Sequence, residues 1–177
     1  MGVFFIPQQR ISVEEKLKNP VWYSLKESHN TFLRTHNDVL FYDPDSCIFG
    51  AFDDSSKTSL ALSEYGKSVE KFFLVSENQT IDIDTKTTVL EKKLLGCQMV
   101  LEHLIDTKIS EELIKLTTKH MNEVSDLIKL VIPGCYRQHR VKMGEFFGIV
   151  KNKQHIAISF HSLHASAFIE DNTLVNH

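Results

Sequence analysis

The sequence PGCYRQHRVKMGEFFGI, residues 133–149, marks the boundary between a predicted helix and a run of predicted strands. Pro133-Gly134 favours the end of a preceding helix, because proline cannot continue a helix and glycine adopts the left-handed conformation that commonly follows one. The aromatic and β-branched residues beyond it predict strands over Glu145–Val150, His155–Ser162 and Phe168–Asn176. We expect these three strands to be consecutive and antiparallel.

The segment before this stretch, residues 110–131, permits two structures. Apolar residues at near-helical spacing allow one long amphipathic helix. Alternatively, Leu113–Leu116 is a strand and Thr118 caps a shorter helix with one buried apolar stripe. Periodicity does not distinguish the two. The stripe of the second structure would consist of Met121, Val124, Leu127, Ile128 and Val131.

The first half of the chain opens with a helical pattern and continues with short strands. Residues from Ile11 to Leu33 read as helical, with Ser12 as an N-cap and Pro20 either limiting a first helix or opening a second. Beyond Asn37-Asp38, short apolar runs alternate with turn residues, which is typical of strands. The predicted strands are Val39–Tyr42, Ile48–Phe52, Lys71–Val75 and Gln98–Leu101.

Length, composition and charge limit the classes of protein to which the chain can belong. With 177 residues, 42% apolar and 24% charged, the chain suits one globular domain or two small subdomains. A formal charge of −3 provides no basic surface for nucleic acid. Pro7 stops the apolar start far short of a membrane segment, and three widely spaced cysteines argue against a disulfide framework. We therefore expect a cytoplasmic protein with no nucleic-acid or membrane partner.

Several short motifs occur in a distinctive order: Asn19-Pro20-Val21-Trp22-Tyr23-Ser24-Leu25, Phe41-Tyr42-Asp43-Pro44-Asp45, Gly50-Ala51-Phe52, Gln98-Met99-Val100, Pro133-Gly134, Met143–Ile149, and Glu170 with Asn176-His177. Together they resemble the GNAT superfamily of acyl-CoA N-acyltransferases, in particular a bacterial subgroup with an extra N-terminal subdomain. The resemblance implies an α+β fold with a mixed, mostly antiparallel sheet and flanking helices. It divides the chain into an N-terminal α+β subdomain, residues 1–104, and the first half of a catalytic domain, residues 105–177. It also favours the strand-then-helix structure for residues 110–131.

The resemblance implies a reaction and the residues that carry it. An amine, on a small molecule or a peptide, would attack the thioester carbonyl of acetyl-CoA directly. Glu170 would face the acceptor and act as a base, directly or through water, although a surface or ion-paired glutamate is the alternative. Leu174, Val175 and Asn176 would lend backbone groups to the pantetheine arm of the cofactor. Asp171 departs from the family pattern, which has an apolar residue at that point.

In the family, a glycine-rich loop that binds the cofactor pyrophosphate follows this strand, whereas the present sequence ends at His177. Its seven glycines include no substitute cluster. We therefore expect the chain alone to bind acetyl-CoA weakly and to be impaired or inactive as a truncated transferase. The alternative is a non-catalytic binding or assembly module that forms homo-oligomers through an open sheet edge.

The histidines raise the question of a metal. His155, His161, His164 and His177 lie close together in the sequence. On a strand, however, His161 and His164 would point to opposite faces, and no cysteine or carboxylate completes a tetrahedral set. We expect no metal site.

The loop within residues 133–149 is basic. Arg137, His139 and Arg140 suit an acidic acceptor or a phosphate, or form a solvated turn. Cys135 has no Cys/His/Asx arrangement around it in the sequence, and a direct-transfer reaction needs no covalent intermediate. We expect Cys135 to serve packing.

Overall fold

The computed structural model describes residues 11–77, 80–96, 111–131, 134, 136–151, 154–162 and 174–175. Over these residues the chain forms two four-stranded sheets, one from each half of the sequence, with helices beside them. The fold is α+β with mostly antiparallel pairing, as the sequence predicts. The expected division after residue 104 falls outside the described residues, as does the strand predicted over Gln98–Leu101, and both stay predictions.

Two short helices open the first half, α1 (Val13–Leu17) and α2 (Pro20–Lys26). The hydroxyl of Ser12 caps α1, because it accepts a hydrogen bond from the Glu15 amide at 3.2 Å. Pro20 opens α2, where the absence of its N–H costs nothing. The predicted cap and the second helix are thus confirmed.

The first sheet has its four strands in sequence order. The strands are β1 (Leu33–His36), β2 (Val39–Tyr42), β3 (Phe49–Ala51) and β4 (Phe73–Val75). The helical prediction to Leu33 ran too far, because α2 ends at Lys26, only a 3₁₀ turn follows over Asn30–Phe32, and Leu33 begins β1. Asn37 and Asp38 connect β1 to β2 with φ values of 44° and 63°, which is the left-handed geometry of a two-residue hairpin turn. Helix α3 (Thr58–Tyr65), which the sequence analysis did not predict, crosses between β3 and β4 and makes this pair parallel.

Strand β2 lies between two hydrophobic clusters. Because side chains alternate along a strand, Val39 and Phe41 face one side and Leu40 and Tyr42 face the other. The first pair packs with α3 in one cluster, and the second pair packs in the other with residues of the second half. All four are buried. This double burial explains why the strand reads as a continuous apolar run.

The second sheet is antiparallel throughout and has the order β5-β6-β7-β8. Its strands are β5 (Leu113–Leu116), β6 (Gly144–Lys151), β7 (Gln154–Ser162) and β8 (Leu174–Val175), and helix α4 (Met121–Val131) connects β5 towards β6. The strand-then-helix structure is therefore the one that forms over residues 110–131. Three consecutive antiparallel strands beyond it are also confirmed, the last by residues 174–175 alone.

The helix cap before α4 lies one residue earlier than predicted. Thr117, and not Thr118, is the N-cap, and a 3₁₀ turn over Thr118–His120 leads into α4. The Thr117 amide donates to Nδ1 of His120 at 2.9 Å, which closes a reciprocal capping box. A histidine thus takes the place that glutamate or glutamine usually occupies.

A shared hydrophobic cluster joins the two halves. Leu25 and Tyr42 come from the first half, whereas Val124, Phe146 and Phe160 come from the second. Each of these side chains is at most 5% exposed. The two sheets are therefore not separately complete, and each covers apolar surface of the other. None of the described helices has the length and apolar character to span a bilayer.

Candidate functional site

The predicted cofactor strand lies beside β7. Val175 pairs with Ala157 and Leu174 pairs with Ile158 in an antiparallel register. Along an antiparallel strand, the N–H and C=O of one residue point towards one neighbouring strand, and those of the next residue point the opposite way. One of Leu174 and Val175 therefore directs its N–H and C=O away from β7. Glu170 and Asn176 lie outside the described residues, and their roles stay predictions.

The second sheet is anchored to the protein core near this strand. Ile158, which pairs with Leu174, is 3% exposed. Ile158 belongs to the same buried cluster as Val124 and Ile128 of α4. The backbone at the β7–β8 pair is thus held by side-chain packing on one face of the sheet.

An open cavity of about 450 Å³ lies where loops of the two halves meet. The loop between β2 and β3 contributes Pro44 and Asp45, residues 68–71 and Phe73 form another wall, and Gly134 and Arg137 come from the second half. Small-molecule sites favour such junctions between structural units. Residues 43–46 lie between two predicted strands, and no local pattern could place them against a loop some 90 residues away, a separation shown by the Arg137–Pro44 contact.

Arg137 fastens the two loops together. Its Nε donates to the Pro44 carbonyl at 3.1 Å, and its Nη1 donates to the carbonyls of Gly134 and Tyr136 at 2.7 and 2.9 Å. Gly134 has a φ of 85°, which a residue with a side chain would adopt only with strain. The basic loop is therefore packed in place and is not a freely solvated turn.

The neighbouring residues of this loop also touch the first half or the core. The His139 amide donates to the Asp45 carbonyl at 3.2 Å. The Arg140 guanidinium lies 4.8 Å from the centre of the Phe160 ring, which is cation–π distance. Cys135 lies outside the described residues, and its packing role stays a prediction.

A buried polar network links residues on the two sides of β2. The ring nitrogen Nδ1 of His29 lies 2.8 Å from the Tyr42 hydroxyl, and the Tyr65 hydroxyl donates to the Tyr42 carbonyl at 3.0 Å. Burial lowers the pKa of His29, and a hydrogen bond with the Met143 backbone opposes that shift. Burial also raises the pKa of Tyr65 to about 12. His29, Tyr42 and Tyr65 all belong to the first half, and the hydrogen bond between His29 and the Met143 backbone links them to the second half.

His155, one of the histidines weighed for a metal, forms an ion-pair contact. Its Nε2 lies 2.6 Å from a carboxylate oxygen of Glu123, and its side chain is only 5% exposed. The His120 ring stands edge-on with its centre 5.7 Å away. Across the described ranges, no three His, Cys, Asp or Glu side chains are grouped in a way that could hold a metal ion. His164, His177 and the side chain of His161 lie outside the described residues.

Comparison with known proteins identifies the fold. No protein-family model and no curated protein matches the sequence. The structure is similar to that of a Novosphingobium aromaticivorans DSM 12444 protein assigned as an acetyltransferase of the GNAT family, with a TM-score of 0.59 and 14% sequence identity. The match covers 84% of this chain and 65% of that one, so the chain spans less than two thirds of its neighbour's length. The chain has a GNAT-type fold.

Proposed function

We propose that the chain is a GNAT-type N-acyltransferase for the transfer of an acetyl group from acetyl-CoA to an amine, with the weak cofactor binding and impaired turnover that the sequence analysis expects. The observation that carries the proposal is the fold likeness, with a TM-score of 0.59 over 84% of the chain. The order β5-β6-β7-β8 also matches the antiparallel run that the sequence resemblance implies. The acceptor is an amine on a small molecule or peptide.

The strand β8 suits the cofactor's pantetheine arm. That arm carries two amide groups that need backbone partners in a protein site. Among the described residues β8 pairs only with β7, so the backbone groups that point away from β7 are available. Leu174, Val175 and Asn176 would hold the arm through these groups.

The reaction would proceed by direct transfer. The acceptor nitrogen forms a bond to the thioester carbonyl carbon while the carbon–sulfur bond breaks, and the released thiolate takes up a proton. Glu170 would remove the proton that the nitrogen loses, directly or through a water. Acetyl-CoA supplies the activated acyl group, and the protein supplies position and proton transfer.

Calorimetric titration of the 177-residue chain with acetyl-CoA tests cofactor binding, and thiol release with a panel of amines tests transfer. Glu170→Gln should lower the turnover number by roughly 100- to 10,000-fold while leaving acetyl-CoA affinity unchanged. The matched control is Asp171→Asn, which removes the adjacent carboxylate and should keep its turnover within about threefold. Absence of binding at 1 mM acetyl-CoA would overturn the proposal for this chain.

A non-catalytic assembly module is the second candidate. In the described part of the second sheet, β5 and β8 are both edge strands, and Leu113 on β5 is 59% exposed. An edge strand with exposed apolar side chains can pair with a second copy. Sedimentation should then show a dimer at micromolar concentration, and a monomer throughout would rule this candidate out.

A further inference from the structure

The guanidinium of Arg137 carries a charge without a carboxylate partner. The side chain is half-buried, and its three hydrogen bonds go to backbone carbonyls through Nε and Nη1. None of the ion pairs formed between described residues includes Arg137. These bonds leave the two N–H donors of Nη2 for another acceptor. Because the three hydrogen bonds hold the guanidinium in place, its Nη2 is positioned to donate to a carboxylate.

The cavity beside Arg137 has an apolar wall. Ile48 is buried there, Val69 is half-buried, and Phe73 is 38% exposed. The volume of about 450 Å³ falls within the range of roughly 300–1,000 Å³ typical of small-molecule sites. A ligand that fills the space therefore needs an apolar group as well as an anion for Arg137.

Two carboxylates at the rim set a further requirement. Asp45 and Glu70 are exposed and line the cavity, and neither forms an ion pair with a described residue. Lys71, which also lines it, pairs with Glu91 at 3.0 Å. Free carboxylates attract an ammonium group and disfavour a ligand with several negative charges, such as a phosphate.

We infer that this cavity binds a small zwitterion of the apolar amino acid class. The ligand's carboxylate meets Arg137, its side chain lies on the apolar wall, and its ammonium group faces Asp45 and Glu70. The inference does not rest on the proposed transferase activity, because binding requires no acyl-CoA.

Calorimetry with three related probes tests the charge requirements. L-phenylalanine carries both charges, phenylalaninamide lacks the carboxylate, and N-acetylphenylalanine lacks the ammonium. We expect the amide to bind at least tenfold more weakly than the free amino acid, since it loses the charge-assisted bond to Arg137. The N-acetyl compound should be weakened by a smaller factor, because its missing contact lies at the solvated rim.

Three variants locate the site. Arg137→Gln should weaken L-phenylalanine binding at least tenfold, whereas Lys142→Gln removes an exposed charge from the same loop and should bind as the wild type. Ser68→Trp blocks the cavity from an exposed wall position and leaves the bonds of Arg137 intact, so it remains informative if Arg137→Gln fails to fold. Equal affinity for the amino acid and its amide, or unchanged binding by folded Ser68→Trp, overturns the inference. No heat from any probe at 10 mM overturns it as well.

Discussion

Gly50 is a position where a single methyl group should be costly. Gly50 stands opposite Phe41 in the β2–β3 register, and the Phe41 ring covers it. A methyl group there would lie 2.8 Å from Cε1 of that ring and 3.0 Å from the Leu40 carbonyl. The ring cannot retreat, because it stacks on Tyr65 with centres 4.1 Å apart and planes 12° apart. Both aromatic side chains are at most 1% exposed.

We expect Gly50→Ala to lower the free energy of unfolding by about 3 kcal/mol, the upper part of the range for an added core methyl group. A domain is stable by only about 5–15 kcal/mol, so the loss is large. With a urea dependence of about 2 kcal/mol per molar for a chain of this size, the unfolding midpoint should fall by about 1.5 M. Urea titration followed by circular dichroism measures the shift.

Gly96→Ala is the matched control, since a methyl group at Gly96 meets no atom within 4 Å. Its unfolding midpoint should stay the same or rise slightly, because alanine restricts the unfolded chain. In a Phe41→Leu background, the smaller side chain should make Gly50→Ala less costly by at least 1 kcal/mol. If Gly50→Ala unfolds within about 0.5 kcal/mol of the wild type, the ring is not held as described, and the reasoning is wrong.

Three further predictions concern the buried polar groups. Burial lowers the pKa of His29, so the unfolded state takes up a proton from about pH 6.5 downwards before the folded state does. The urea midpoint of unfolding should therefore fall as the pH drops from 7.5 to 5. His29→Gln should reduce this dependence of the midpoint on pH. Tyr65→Phe removes the donor to the Tyr42 carbonyl and should cost about 1–2 kcal/mol in urea titrations, while the wild-type Tyr65 should ionise in ultraviolet titration only near pH 12. Glu123→Ala leaves the buried His155 ring with no partner at either nitrogen, because Nδ1 already has none, and should cost about 1–3 kcal/mol; Glu123→Gln keeps an acceptor, and an equal loss in both variants would show that the contact is unimportant.

The sequence predicts an element well where one physical cause dominates. Val39–Tyr42 is buried on both faces, so its apolar run predicts a strand directly. Helix α3 was not predicted, although its buried residues follow helical spacing: Thr58, Ala61, Leu62 and Tyr65. The exposed Leu60 places an apolar residue on the otherwise polar face, so the amphipathic pattern is weak. Strand β1 has one apolar residue in four, and pairing with β2, not its own composition, makes it a strand.

The two candidate sites differ in how much of each could be predicted from the sequence. Leu174 and Val175 were predictable as a strand, because β propensity and the family resemblance agree there. The cavity at Arg137 was not predictable, since its walls come from segments far apart in the sequence. The basic character of the loop was visible, but the contact that fixes it, from Arg137 to Pro44, spans 93 positions. Only the folded chain brings those carbonyls to the guanidinium.

The shared core has a consequence for synthesis of the protein. Leu25 and Tyr42 leave the ribosome long before Phe146 and Phe160, the residues that cover them. Elongation at about 5–20 residues per second makes this delay roughly 5–20 s. For that time the nascent first sheet presents an uncovered apolar face, on which a chaperone can act. Translation speed over the middle of the chain should therefore influence the yield of folded protein.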